Sequence, residues 1–81
     1  MEILLSILIS LGLYSKAMIV TELDTANDIV VCEDYNGNLW EFQGVEDWAE
    51  GDIVAAIMYD NGTVSIYDDE IVMTRYNGNV N

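Results

Sequence analysis

The feature that most constrains this chain is the rhythm of its turn signals. Asn-Gly pairs stand at Asn36-Gly37, Asn61-Gly62 and Asn77-Gly78, with Gly51-Asp52 between them. Asn-Gly readily supplies the two positive-φ residues of a type I′ hairpin turn. The stretches between these signals are rich in Ile, Val, Trp and Tyr, and the chain has no proline. Such residues fit a pleated, half-buried surface. Short strands joined by tight turns are the expectation.

The pattern predicts six strands. The first covers residues 18–23, followed by a polar break at 24–28 whose Asp and Asn residues favour a turn. Residues 29–33 make the second, and 35–38 a type I′ hairpin turn. Residues 39–43 make the third, with Trp40 and Phe42 on one face and Leu39 and Glu41 on the other. Residues 44–51 do not alternate and suit one helical turn. Residues 53–59 are apolar on both faces, which marks an inner strand. A hairpin turn at 60–63, a strand at 64–67, a charged break at 68–70 and a last strand at 71–76 complete the series, and residues 77–81 read as a polar tail that frays. Strands at this spacing predict an all-β fold, a small five- or six-stranded barrel or rolled antiparallel sheet of SH3-like or OB-like kind, with an N-terminal apolar segment. The chain divides into an apolar leader (1–17), an acidic β domain (18–76) and the tail (77–81).

Eighty-one residues make at most one domain. A single cysteine, Cys32, excludes an internal disulfide, and the absence of histidine excludes a Cys/His zinc site. Stability therefore rests on apolar packing, for which 52% hydrophobic residues suffice. The charge is extreme: fifteen carboxylates against two basic residues give −13. Residues 18–81 alone carry fourteen acids against Arg75, again −13. Nucleic acid would be repelled, because binding it depends on Lys and Arg displacing counterions. The same charge keeps a protein soluble and steers it onto basic surfaces.

Residues 3–14 are almost wholly apolar, a length that suits a signal-peptide core and falls short of a membrane span of about 20 residues. Glu2 stands where a signal peptide is positive, and Lys16 lies on the far side. Three readings stay open: a signal or anchor, giving membrane attachment or export; a helix or strand packed on the domain or in an oligomer; or a start at Met18.

Catalysis finds few components. No histidine offers a base near neutral pH, and no P-loop, nucleophile elbow or dinucleotide fingerprint occurs. Paired carboxylates such as Glu46 and Asp47, or Asp68, Asp69 and Glu70, can work as glycosidases do, but they need a sugar-sized cleft. The expectation is a non-enzyme without cofactor or metal. Residues 34–38 imitate the start of a calcium loop, yet the glycine comes early and the twelfth position is Val45 where a bidentate Glu is required. Cys32, mid-strand beside Glu33 and Asp34, reads as a buried, inert thiol. Trp48, set among Glu46, Asp47 and Glu50, is either an exposed interface anchor or the plug of the barrel's open end.

One further signal is a resemblance. Trp40-Glu41-Phe42, Gly44-Val45-Glu46-Asp47-Trp48, Gly51-Asp52, Met58, Asp60-Asn61-Gly62-Thr63, Tyr67-Asp68-Asp69-Glu70-Ile71 and Arg75-Tyr76 resemble a group of small uncharacterised acidic proteins of phages and prophages of Gram-positive anaerobes. The likeness covers residues 19–76, and Gly-x-Glu-Asp-Trp-x-x-Gly-Asp is its most specific string. It implies no activity and carries over no functional residue. It does imply a setting, the host cytoplasm, in which small acidic proteins occupy basic surfaces meant for nucleic acid.

The resulting expectation is a non-catalytic binding protein whose partner is a basic protein surface. In its sharpest form it inhibits a nucleic-acid-handling host protein by imitating phosphates with carboxylates. The residues expected to bind are Glu46, Asp47, Trp48, Glu50, Asp52, Asp68, Asp69 and Glu70, which flank turns. The alternative is a structural or assembly protein that uses residues 3–13 for self-association or membrane attachment.

Overall fold

The computed structural model of the protein describes residues 12–62 and 69–80. Among the described residues five strands form one antiparallel sheet: β1 (Leu13–Asp24), β2 (Ile29–Asp34), β3 (Leu39–Gln43), β4 (Asp52–Tyr59) and β5 (Glu70–Asn79). A 3-10 turn at Val45–Asp47 is the one helical element among the described residues. The strand order is β3-β2-β1-β4-β5. The all-β expectation is met as a single open sheet. Among the described residues β3 and β5 are edges that share no ladder, so the barrel is not closed.

Alternation explains which face is buried. Met18 and Val20 of β1, Val30 and Cys32 of β2, and Val54, Ala56 and Met58 of β4 form the buried core. Tyr14, Leu23, Trp40, Phe42, Val45, Trp48 and Ile71 pack against it. A bulge at Thr21 separates the pairs Val20↔Cys32 and Glu22↔Val31. The extra residue shifts the phase of the strand. Even-numbered residues point inward before it, and Leu23 joins the core after it. A second irregularity lies on β5, between Met73 opposite Ile57 and Ile71 opposite Met58.

Trp48 meets Phe42 of edge strand β3 edge-on at 5.5 Å between ring centroids, and Tyr76 of the opposite edge strand β5 at 6.4 Å. The loop that carries Trp48 is tied to β1 by the Gly51 amide, which donates to the Val20 carbonyl at 2.9 Å.

Several boundaries differ from the sequence reading. The first strand begins at Leu13, not at residue 18, because residues 13–19 pair with β4 from Leu13↔Tyr59 to Ile19↔Ile53. Residues 13–17 thus belong to the sheet, whereas residues 3–11 lie outside the described residues. The tail expected to fray is paired as far as Val80: Asn79 stands opposite Asp52, and the Val80 amide donates to the Gly51 carbonyl at 2.9 Å. The strand expected at 64–67 lies outside the described residues.

The hairpin expected at 35–38 also takes another form. Gly37 alone has a positive φ there, +84°. Asp34 and Asn38 close a three-residue loop, with the Asp34 amide donating to the Asn38 carbonyl at 2.9 Å. A side chain makes the difference, since the Asp34 carboxylate accepts the Asn36 and Asn38 amides, each at 2.9 Å. At Asn61-Gly62 both residues do have positive φ, +56° and +74°, as a type I′ turn requires.

Candidate interaction surface

The residues expected to bind fall into two groups at opposite ends of the sheet, plus one that points inward. Glu46 and Asp47 are exposed on the 3-10 turn. The Val45 amide donates to the Asp28 carboxylate at 3.0 Å. That bond fixes the acidic turn beside the β1–β2 loop, where Asp24 and Asp28 add two more carboxylates. Asp24 binds the Asn27 amide at 3.2 Å and its side-chain nitrogen at 2.9 Å. These bonds hold the Asp24 carboxyl below its usual range. Sequence reasoning took Asp24 and Asp28 only as turn formers. The hairpin that brings them next to Glu46 and Asp47 is a long-range pairing, Ile29↔Gln43, which no local signal reports.

Asp69 and Glu70 stand at the other end. Glu70 is opposite Tyr59, which is opposite Leu13, the first residue of β1. Leu13 and Asp24 are the two ends of a 12-residue strand, so the acidic groups lie about 36 Å apart along it. Asp69 is partly buried and accepts a hydrogen bond from the Tyr14 hydroxyl, while its buried Oδ1 has no hydrogen-bond partner among the described residues. Burial, and then the bond to Asp69 and its charge, push the Tyr14 hydroxyl well above its ordinary pKa. Asp68 lies outside the described residues.

Asp52 does not project to a partner. It is 5% exposed and serves the fold, accepting the Ala49 amide at 2.8 Å and the Asn79 side-chain nitrogen at 2.7 Å. Its place straight after Gly51, at the mouth of a buried strand, is what turns it inward. Glu50 is exposed, and its backbone carbonyl accepts from Asn79 at 3.3 Å. Trp48 is half-buried between Phe42 of β3 and Tyr76 of β5.

One heavily bonded carboxylate was weighed in the sequence only as the start of a calcium loop. Asp34 is 6% exposed. Besides the two backbone amides it accepts Lys16 Nζ at 2.9 Å, Trp40 Nε1 at 2.9 Å and Asn38 Nδ2 at 3.3 Å. Burial pushes its carboxyl up, and the Trp40, Lys16, Asn38 and Asn36 bonds outweigh that and hold it well below the usual carboxylate range. The Lys16 ammonium sits 5.3 Å from the Trp40 ring centroid and 5.8 Å from that of Tyr14, within reach of both π faces. The chain's only lysine is therefore spent inside the protein. Cys32 is fully buried, and burial followed by the Asp34 charge pushes its thiol up to about 11.

Among the described residues no group of three or more His, Cys, Asp or Glu side chains is arranged to hold a metal ion. Among them, too, no helix is long and apolar enough to cross a membrane. Compared with family models, curated proteins and solved structures, the chain has no match.

Proposed function

We propose that this is a non-catalytic acidic binding protein whose counterpart is a basic protein surface. The observation that carries the reading is the disposition of charge. The bond from the Val45 amide to Asp28 sets Glu46 and Asp47 at the same end of the sheet as Asp24 and Asp28, while Lys16, the only lysine, is drawn away to Asp34. Exposed like charges held close together raise the local potential and attract a cationic partner. Carboxylates accept charge-assisted hydrogen bonds from Lys and Arg as phosphates do. The sharpest form of the proposal is an inhibitor that occupies the basic site of a nucleic-acid-handling host protein, in keeping with the resemblance to phage and prophage proteins. In this reading the sheet is the rolled frame of a small SH3-like or OB-like barrel whose seam Trp48 spans.

Affinity capture from host lysate at low and high salt tests the proposal. A basic protein retained at low salt, released at high salt and displaced by nucleic acid supports it. Capture that is indifferent to salt overturns it.

A further inference from the structure

The outward face of the sheet carries an apolar band with the chain's only arginine on one side and carboxylates on the other. Ala17, Ala55 and Arg75 stand side by side on β1, β4 and β5. The two alanines form the floor of a groove of about 420 Å³, with Ile57 and Met73 along one wall. A neighbouring depression of about 320 Å³ runs past Ile19 and Ile53 to Glu33, Asp34 and Tyr35. Asp34 spends its carboxylate on Lys16 and Trp40, whereas Glu33 is exposed. Glu33 stands beside Ile19, and Glu22 and Glu41 follow two residues further along the strands, on either side of Val31. Met73 is 62%, Leu39 65% and Ile19 41% exposed. The strand order puts three strand spacings, about 14 Å, between Arg75 and Glu33, too far for contact within one copy. Among the described residues neither has an ion-pair partner.

We propose that this face is an interface between two copies of the chain, packed face to face about a two-fold axis that runs roughly along the strands. Such an axis lays β5 of each copy over β2 of the other. It brings Arg75 to Glu33 twice, because every contact of a two-fold interface is repeated. The same rotation keeps the two acidic sides apart. Facing sheets pack about 10 Å apart with interdigitated side chains, so the Ile57 and Met73 ridge of one copy seats on the alanine floor of the other. A small apolar ligand would leave both charged groups unpaired, and a cationic partner would meet Arg75. Five strands by about 20 Å along them offer roughly 500 Å² a copy, at the small, weak end of specific interfaces. Repulsion between two bodies of charge −13 opposes the contact. Salt screens it, shrinking the Debye length from about 10 Å at 0.1 M to about 3 Å at 1 M. The dimer therefore tightens with salt, the opposite of the capture of a basic protein.

Sedimentation equilibrium on the full chain tests this, at up to about 1 mM protein so that a weak interface registers. The expected result is a dimer whose fraction rises between about 0.1 M and 1 M salt. Arg75→Glu and Glu33→Arg each set like charges opposite one another, and each should weaken the dimer at least about tenfold. An equimolar mixture of the two variants should regain wild-type association, since each copy supplies the charges the other lacks, at the total charge of a wild-type pair. Far-UV circular dichroism checks that the variants fold. Should one not, isotope-filtered NOEs on the wild type decide, with cross-peaks expected from the Ala17 and Ala55 methyls of a labelled copy to Ile57 of an unlabelled one. A monomer at every salt concentration overturns the proposal. So does an oligomer that the single variants leave unchanged, or a mixture that stays as weak as its components. Groove cross-peaks confined to residues 3–11 of the same copy overturn it too.

Discussion

Lys16 Nζ meets Asp34 Oδ2 at 2.9 Å, with 15% and 1% of the two side chains exposed. The pair joins β1 to β2, and Trp40 of β3 donates to the same carboxylate oxygen. Three neighbouring strands are thus joined at one buried polar point.

Removing the acid is the severe change. Asp34→Ala leaves the Lys16 ammonium and the Trp40 indole without their acceptor. Breaking a buried pair from one side costs about 3–5 kcal/mol, a large share of the stability of a small domain. Lys16→Met costs less, since Asp34 keeps the Trp40, Asn36 and Asn38 bonds. Urea titration followed by tryptophan fluorescence should rank wild type above K16M, and K16M above D34A.

Acidification sets two effects against each other. The folded-state pKa of Asp34 is depressed. Its contribution is therefore fully present above the unfolded value of about 3.9, and is lost as pH falls through the folded value. Protonating the exposed carboxylates works the other way, by relieving the repulsion of a −13 chain. Thermal unfolding should give a Tm that rises from pH 7 to a maximum near pH 4.5 and falls below about pH 4. At pH 7 added salt should raise the Tm by screening. A steady decline from pH 7 downward would refute this balance.

Trp48 is predicted to stabilise the sheet by linking its two edge strands. Trp48→Ala removes the ring between Phe42 and Tyr76. Truncating a large aromatic costs about 3–5 kcal/mol when it is fully buried, and a half-buried ring should cost about half of that. Trp48→Phe should recover most of the loss. Near-UV circular dichroism and urea titration read both effects.

Cys32 should not react in the folded protein. It is fully buried, its Sγ lies 3.6 Å from Met18 Sδ, and its pKa is pushed up to about 11. A thiol reagent at pH 8 should label it only at the rate of unfolding, and urea should release that labelling.

These predictions rest on features of unequal visibility in the sequence. Strands β2, β3 and β4 were readable to within a residue, because alternation and turn residues are local signals. Trp40 and Phe42 share the inner face for the same reason. The start of β1 was not readable: residues 3–14 are almost wholly apolar and carry no strand period, so the pattern did not set a strand start at residue 13. Lys16 and Asp34 are eighteen positions apart, and only the register Met18↔Asp34 brings them together. Asp52 and Asn79 likewise meet through β4–β5 pairing, which turned an expected surface acid into an internal one. Charge raised the expectation of a basic partner, and strand pairing sets the β1–β2 loop with Asp24 and Asp28 beside the turn of Glu46 and Asp47.

The central claim is that the carboxylates at one end of the sheet carry the binding. Titration of the captured basic partner against wild type and the D28N/E46Q/D47N variant, across a salt series, tests it most directly. The account predicts that wild-type affinity falls steeply with salt, and that the variant binds at least about tenfold more weakly at low salt, a difference of about 1.4 kcal/mol. Its dependence on salt should also be shallower. Equal affinities with equal salt slopes would contradict it.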